Sequence, residues 1–214
     1  MQKKTILFDL DGTLIDSTPA ILNSCKNAFE KLDLTPALDE DIKALIGYPL
    51  DEMFIKLYGN KKELAQNFIE FYREKYHTIY LEQTTLLARV KEALNLASKF
   101  ADLGIVTTKG SQFTKPLLDF LGIGNFFQVI IGRNDVVYPK PHKEPIEKAL
   151  LQLNKPKDNA FMIGDTKLDI LAAKNANINA VAVSCGYEKK ESLLLETSFV
   201  KQDAYDAVLF IKSL

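Results

Sequence analysis

The chain has 214 residues, of which 47% are hydrophobic and 26% charged, with a formal net charge of −1. That balance supports a sizeable globular core and excludes two partner classes, because there is no basic footprint for nucleic acid and no polybasic patch for a membrane. Cys25 and Cys185 have neither zinc nor redox-motif spacing, the apolar run after Lys3-Lys4 stops at Asp9, and no apolar stretch nears membrane-spanning length, so a cytoplasmic location is expected.

The first element is a β-favouring run, Thr5 to Phe8, that ends in Asp9-Leu10-Asp11-Gly12. Alternation along a strand puts Asp9 and Asp11 on one side while Leu10 points away. A buried parallel strand would carry both acids to its C-terminal edge, where open α/β sheets place their ligands. Two acids there repel each other unless a cation lies between them, which points to a metal-assisted site with one carboxylate as nucleophile or ligand. Three other readings compete. An Asp11-Gly12 hairpin turn needs a second strand, but Leu14-Ile15 runs into Asp16-Ser17-Thr18-Pro19, a helix start. A calcium loop fails at Thr13, Leu14 and Ala20. An ordinary solvated strand end stays open on these residues alone.

The pattern then turns helical. Ile21, Leu22, Cys25, Ala28, Phe29 and Leu32 share one helix face, and Thr35-Pro36 ends it. Further helices are predicted over Asp39–Ile46, Leu50–Leu57 and from Leu64 to about Tyr80, with stops at Gly47-Tyr48-Pro49 and Gly59-Asn60. From Leu86 onward helix and strand alternate. The predicted helices are Leu87–Lys99, Phe113–Leu121, Glu144–Leu153, Leu168–Ala176 and Ala204–Lys212; the strands are Leu103–Thr107, Phe127–Ile131, Ala160–Ile163 and Ala180–Val183. This alternation implies an α/β fold, a doubly wound parallel sheet. The expected organisation is a core of residues 1–15 and 83–214 interrupted by an inserted four-helix cap over 16–82. Because the insertion follows the acidic strand end directly, it is placed to act as a lid that excludes water.

Further strand ends carry polar groups. Thr107-Thr108-Lys109 delivers a hydroxyl, Pro139-Lys140-Pro141 sets a lysine between two residues of locked φ, and Gly164-Asp165-Thr166-Lys167-Leu168-Asp169 places two acids one helical turn apart. Alone, Thr107 reads better as an ordinary strand-terminal threonine and Lys140 as a surface lysine in a turn; Asp165 could cap its helix, which leaves Asp169 on the same face unexplained. Ser184-Cys185-Gly186-Tyr187 is a turn with no evident chemistry.

Taken in order, Asp9-Leu10-Asp11-Gly12-Thr13, Thr107, Lys140 and Gly164-Asp165 through Asp169 resemble the four motifs of the haloacid dehalogenase-like hydrolases, over nearly the whole chain. The helical insertion, Gly47-Tyr48-Pro49-Leu50 and the late Gly186-Tyr187 are similar to the phosphoglycolate phosphatase-like branch with a small helical cap. The chain departs from that branch at Ala88-Arg89, where Pro-Gly is usual, at Lys140 through Pro145, and at Thr108 in place of asparagine.

The resemblance implies a Mg²⁺-dependent phosphatase of a small phosphorylated metabolite. Asp9 is then the nucleophile and Asp11 the general acid and base, with Thr107 and Lys140 completing the catalytic set. Mg²⁺ is expected on the carboxylates of Asp9 and Asp165 and the backbone carbonyl of Asp11, with Asp169 orienting the metal shell. Gly12, Thr13, Thr108 and Lys109, with Gly47 and Tyr48 from the cap, are the expected substrate contacts. Inorganic pyrophosphatase activity is the near alternative; a β-phosphoglucomutase-like mutase and a phospho-ligand binding module are the others. No nucleic-acid or membrane partner is expected, and the assembly is a monomer or homodimer.

Overall fold

The computed structural model describes residues 3–214. In chain order the elements are β1 (Lys4–Phe8), β2 (Ile15–Asp16), α1 (Thr18–Lys31), α2 (Asp39–Lys43), α3 (Leu50–Leu57), α4 (Ala65–Ile79), β3 (Thr85–Leu86), α5 (Val90–Ala97) and β4 (Ala101–Val106). There follow α6 (Ser111–Phe120), β5 (Val129–Ile131), α7 (Glu144–Leu153), β6 (Ala160–Gly164), α8 (Lys167–Ala176), β7 (Asn179–Val183), α9 (Lys190–Glu196), β8 (Val200–Lys201) and α10 (Ala204–Ser213). They form two compact units: Met1–Ile15 with Leu86–Leu214, and Asp16–Thr85, where the sequence places 16–82.

The first unit is built on a six-stranded parallel sheet of order β5-β4-β1-β6-β7-β8. β1 lies in the middle, so Ile6, Leu7 and Phe8 are wholly buried, as a strand covered on both faces requires. Phe8 is level with Ile105 of β4 on one side and Ile163 of β6 on the other. From β1 the sheet grows through β4 and β5 in one direction and through β6, β7 and β8 in the other. The order therefore reverses beside β1, the switch point at which such sheets bind ligands beyond their C-terminal edges. On one face Leu7 and Met162 pack with Ile146, Ala149 and Leu150 of α7 and Ala172, Ala173 and Ala176 of α8. α5 and α10 pack together, with α5 against β4 and α10 against β6 and β7.

The second unit is helical. α4 presents Phe68, Tyr72 and Tyr76 at intervals of four, Tyr80 at its C-terminal cap continues the series, and the four rings form a buried column with neighbouring centroids 5.4–6.0 Å apart. Phe29 of α1 stacks on Phe68 at 5.5 Å and Phe54 of α3 meets it at 4.9 Å, which joins three helices through one ring.

Several local details differ from the sequence reading. α2 ends at Lys43 instead of Ile46, and turns lead to Gly47 at φ +105°. α5 begins at Val90 instead of Leu87 because Arg89 is left-handed, at φ +58°. The short pair β2–β3, helix α9 and edge strand β8 were not expected. No helix among the described residues is long and apolar enough to cross a membrane.

Candidate active site

The ends of β1, β4 and β6 bring the acids and Lys109 to one edge of the first unit, and the segment between β5 and α7 adds Lys140. Asp9 follows β1, and its N–H donates to Ile163 O at 2.9 Å, which locks it level with the end of β6. Asp165 follows β6 directly, and Asp169 lies in the first turn of α8. All three are buried, and one carboxylate oxygen from each lies within 4.8 Å of the others.

Lys140 stands at the centre of the charge pattern and is 3% exposed. Its Nζ donates to Val106 O at 3.0 Å and to Asp169 Oδ1 at 2.5 Å, and lies 2.8 Å from Asp9 Oδ1. The last contact is a close charge pair, and Asp9 Oδ1 is otherwise buried without a partner. Burial draws the ammonium toward its neutral form, but the carboxylates of Asp169 and Asp9 outweigh it and hold Lys140 above the usual lysine range. Asp9 moves the other way. Its carboxyl is raised to about 7: burial contributes most, Lys140 opposes it, and the charges of Asp169 and Asp11 add to it.

Asp165 is raised well above the usual carboxylate range, by burial and then by the charges of Asp9 and Asp169; the Tyr187 N–H and the Thr13 hydroxyl oppose the shift. These two donors reach separate oxygens, Thr13 Oγ1 on Oδ1 at 2.9 Å and Tyr187 N–H on Oδ2 at 2.9 Å. Asp169 is shared between two tasks. Its Oδ2 accepts from Thr166 N–H at 3.1 Å and Thr166 Oγ1 at 2.8 Å, closing a capping box on α8, while Oδ1 holds Lys140.

Asp11 lies beside Lys109, whose Nζ is 3.1 Å from Oδ2, and both side chains are largely buried. Thr107 Oγ1 accepts the Lys109 N–H at 3.2 Å. The fold therefore gathers Asp9, Asp11, Thr107, Lys109, Lys140, Asp165 and Asp169 around the C-terminal ends of β1, β4 and β6. Thr108 sits half-buried between Thr107 and Lys109. Gly12 and Thr13, expected among the substrate contacts, have donors turned inward. Gly12 N–H bonds Ile15 O at 2.8 Å, and Thr13 gives its N–H to Leu10 O and its hydroxyl to Asp165. Gly47 and Tyr48 belong to the second unit, where the Tyr48 ring lies 4.7 Å from Lys56 Nζ.

The sequence reading missed the carbonyl of Val106 and the turn Cys185-Gly186-Tyr187. Neither Val106 O nor the Tyr187 N–H has a side-chain signature; the only available sign was the Gly-Tyr dipeptide itself.

The donor set suits a hard divalent cation, with oxygens of three buried carboxylates within 4.8 Å of one another. With all four acids ionised against two lysines the cluster would carry a net negative charge, which such a cation would offset. The arrangement places a buried carboxylate at the end of the central strand, a second carboxylate 3.1 Å from its own cation, and an acidic cluster able to hold a metal.

Known proteins resemble this chain in sequence and in fold. The chain is 34% identical over 185 residues to the pyrophosphatase PpaX of Bacillus cereus, covering 86% of this chain and 84% of the relative. It is 33% identical over 202 residues to a phosphoglycolate phosphatase of Colwellia psychrerythraea, covering 90% and 89%. Among solved structures, a haloacid dehalogenase-like family hydrolase from Streptococcus pneumoniae superposes with a TM-score of 0.88 at 27% identity, over 97% of this chain and 98% of that one. The family model for haloacid dehalogenase-like hydrolases matches residues 6–183, from β1 to the end of β7, and the chain belongs to that family.

Proposed function

We propose that the protein is a Mg²⁺-dependent phosphatase of a small phosphorylated metabolite, working through a phosphorylated Asp9. The observation that carries this reading is the Asp9 carboxylate. It is buried at the end of the central strand, paired with Lys140, and within reach of Asp165 and Asp169. A cation held by Asp9 and Asp165, with the Asp11 carbonyl beside them, would neutralise phosphoryl charge and orient the group for in-line attack.

An Asp9 oxygen forms a bond to phosphorus while the bond from phosphorus to the leaving oxygen breaks. Asp11 gives its proton to the departing alkoxide, then takes one from the water that attacks the aspartyl-phosphate, which frees phosphate and restores Asp9. Lys140 offsets the charge between Asp9 and the phosphoryl oxygens. Thr107 accepts from the Lys109 N–H, so its own proton is available to a phosphoryl oxygen. Lys109 rests on Asp11 and supplies a second cation on the substrate side.

Pyrophosphate is the second reading. It is supported by the likeness to a protein named pyrophosphatase PpaX and needs no change in the chemistry above. The test is hydrolysis of p-nitrophenyl phosphate with Mg²⁺ and with EDTA, followed by a screen of phosphoglycolate, pyrophosphate, sugar phosphates and nucleotides. Full turnover in metal-stripped protein overturns the metal assignment. A preference for pyrophosphate over every ester replaces the first reading by the second.

A further inference from the structure

Asp165 is enclosed more tightly than its role as a ligand at a strand end requires. A Cβ added at Gly186 would lie 2.1 Å from its Oδ2 and 2.4 Å from its Cγ, inside the carboxylate group. A Cβ at Gly12, where φ is +80°, would lie 2.3 Å from the same oxygen and 2.7 Å from Tyr187 Cδ2. The carboxylate thus rests against two residues without side chains, with the Tyr187 ring beside Gly12.

The turn that carries Gly186 is pinned at both ends. Ser184 N–H donates to Lys201 O at 3.0 Å, which ties its start to β8. Past Tyr187, Glu188 accepts the Lys167 N–H at 2.6 Å, at the first residue of α8, and the Ser192 hydroxyl at 2.5 Å. Between them Cys185 Sγ points to Gly12 O at 3.6 Å. Pairing of β6 with β7, Gly164 level with Ala182, brings this turn beside Asp165.

We infer that the turn Cys185-Gly186-Tyr187 is a positioning element for Asp165: Gly186 admits the carboxylate and the Tyr187 N–H orients it for the divalent cation. The inference rests on the reading of Asp165 as a metal ligand. Each carboxylate oxygen has two acceptor directions. One donor on each, Thr13 Oγ1 and Tyr187 N–H, fixes the plane of the group and leaves one direction per oxygen for the metal. Partners of this kind behind a ligand are worth about 10–100-fold in metal affinity. The contribution is one backbone N–H and one missing Cβ.

The test is Mn²⁺ affinity of the full chain, measured by calorimetry and by the paramagnetic resonance of free Mn²⁺, for the wild type and two variants. Gly186→Ala pushes the carboxylate away; its Kd for Mn²⁺ should rise about 10–100-fold. Replacing Tyr187 by its α-hydroxy analogue turns that peptide N–H into an ester oxygen and adds no atom to the pocket. Kd should then rise about tenfold, at the lower end of that range. In both, the metal concentration for half-maximal p-nitrophenyl phosphate turnover should move more than kcat at saturating metal, a split that general damage to the fold would not produce. If Gly186→Ala does not fold, the ester variant alone decides. A wild-type Kd in the ester variant overturns the inference and leaves the metal site standing. A wild type that binds no Mn²⁺ at millimolar concentration overturns the metal site and this inference with it.

Discussion

Lys140→Met is the perturbation that probes the site most directly. The substitution keeps an unbranched chain of similar length and removes one charge with three contacts: Val106 O at 3.0 Å, Asp169 Oδ1 at 2.5 Å and Asp9 Oδ1 at 2.8 Å. Removing one partner of a buried ion pair costs about 3–5 kcal/mol, because the other charge stays buried without compensation. Asp169 keeps its two bonds from Thr166, whereas Asp9 loses its paired cation. The metal-free Asp9 already binds its proton near pH 7. Without Lys140 that value rises further, while the unfolded value stays at 3.8. Between the two folded values the variant holds more protons on Asp9 than the wild type. Its stability therefore falls more steeply with pH, by up to about 1.4 kcal/mol per pH unit. The assay is urea unfolding in EDTA, followed by far-ultraviolet circular dichroism at pH 5.5, 7.0 and 8.5. The deficit of Lys140→Met should grow from the lowest pH to the highest, and adding Asp9→Asn should remove the growth. A deficit below about 1 kcal/mol at pH 8.5, as for an exposed pair, would refute the argument.

In the metal-free wild type the raised Asp9 carboxyl makes a stability contribution that is complete below about pH 4 and lost as the pH rises through 7. Mg²⁺ should therefore raise the unfolding midpoint more at pH 8 than at pH 6, and an equal rise at both would refute this. Asp9→Asn should leave no covalent intermediate. Asp11→Asn should let aspartyl-phosphate accumulate from p-nitrophenyl phosphate and lose about 10²–10⁴-fold on alkyl phosphates; rapid-quench mass spectrometry reads the phosphorylated residue. Arg89 is left-handed, and its guanidinium bonds Asp203 at 2.6 Å and Asp206 at 3.0 Å. Arg89→Ala loses those pairs but keeps the backbone strain, so it should be about 1 kcal/mol less stable than Arg89→Gly in thermal unfolding. Equal stability of the two would show that φ at residue 89 carries no strain.

The outline of the fold was already present in local chemistry. Helices Leu50–Leu57 and Glu144–Leu153 occupy the residues their apolar spacing and stops assign, because period 3.6 and a flanking proline act within a few residues. The burial of Ile6 to Phe8 follows from an uninterrupted apolar run, and that run alone carries Asp9 to a sheet edge. Short pairings were beyond that logic. β2 and β3 are two residues each, and they find each other only across the whole helical insertion. β8 is an edge strand of two residues whose place is set by β7. Arg89 in a position suited to glycine is explained only by Asp203 and Asp206, far along the chain. In the site, the motif resemblance named Asp9, Asp11, Thr107, Lys140, Asp165 and Asp169 and implied their roles, but which groups touch each other came from register. The alignment of β1, β4 and β6 puts Val106 O and Asp169 on Lys140, and the pairing of β6 with β7 puts the Tyr187 N–H on Asp165. Backbone donors are the same in every residue, so only tertiary structure decides which of them faces a carboxylate.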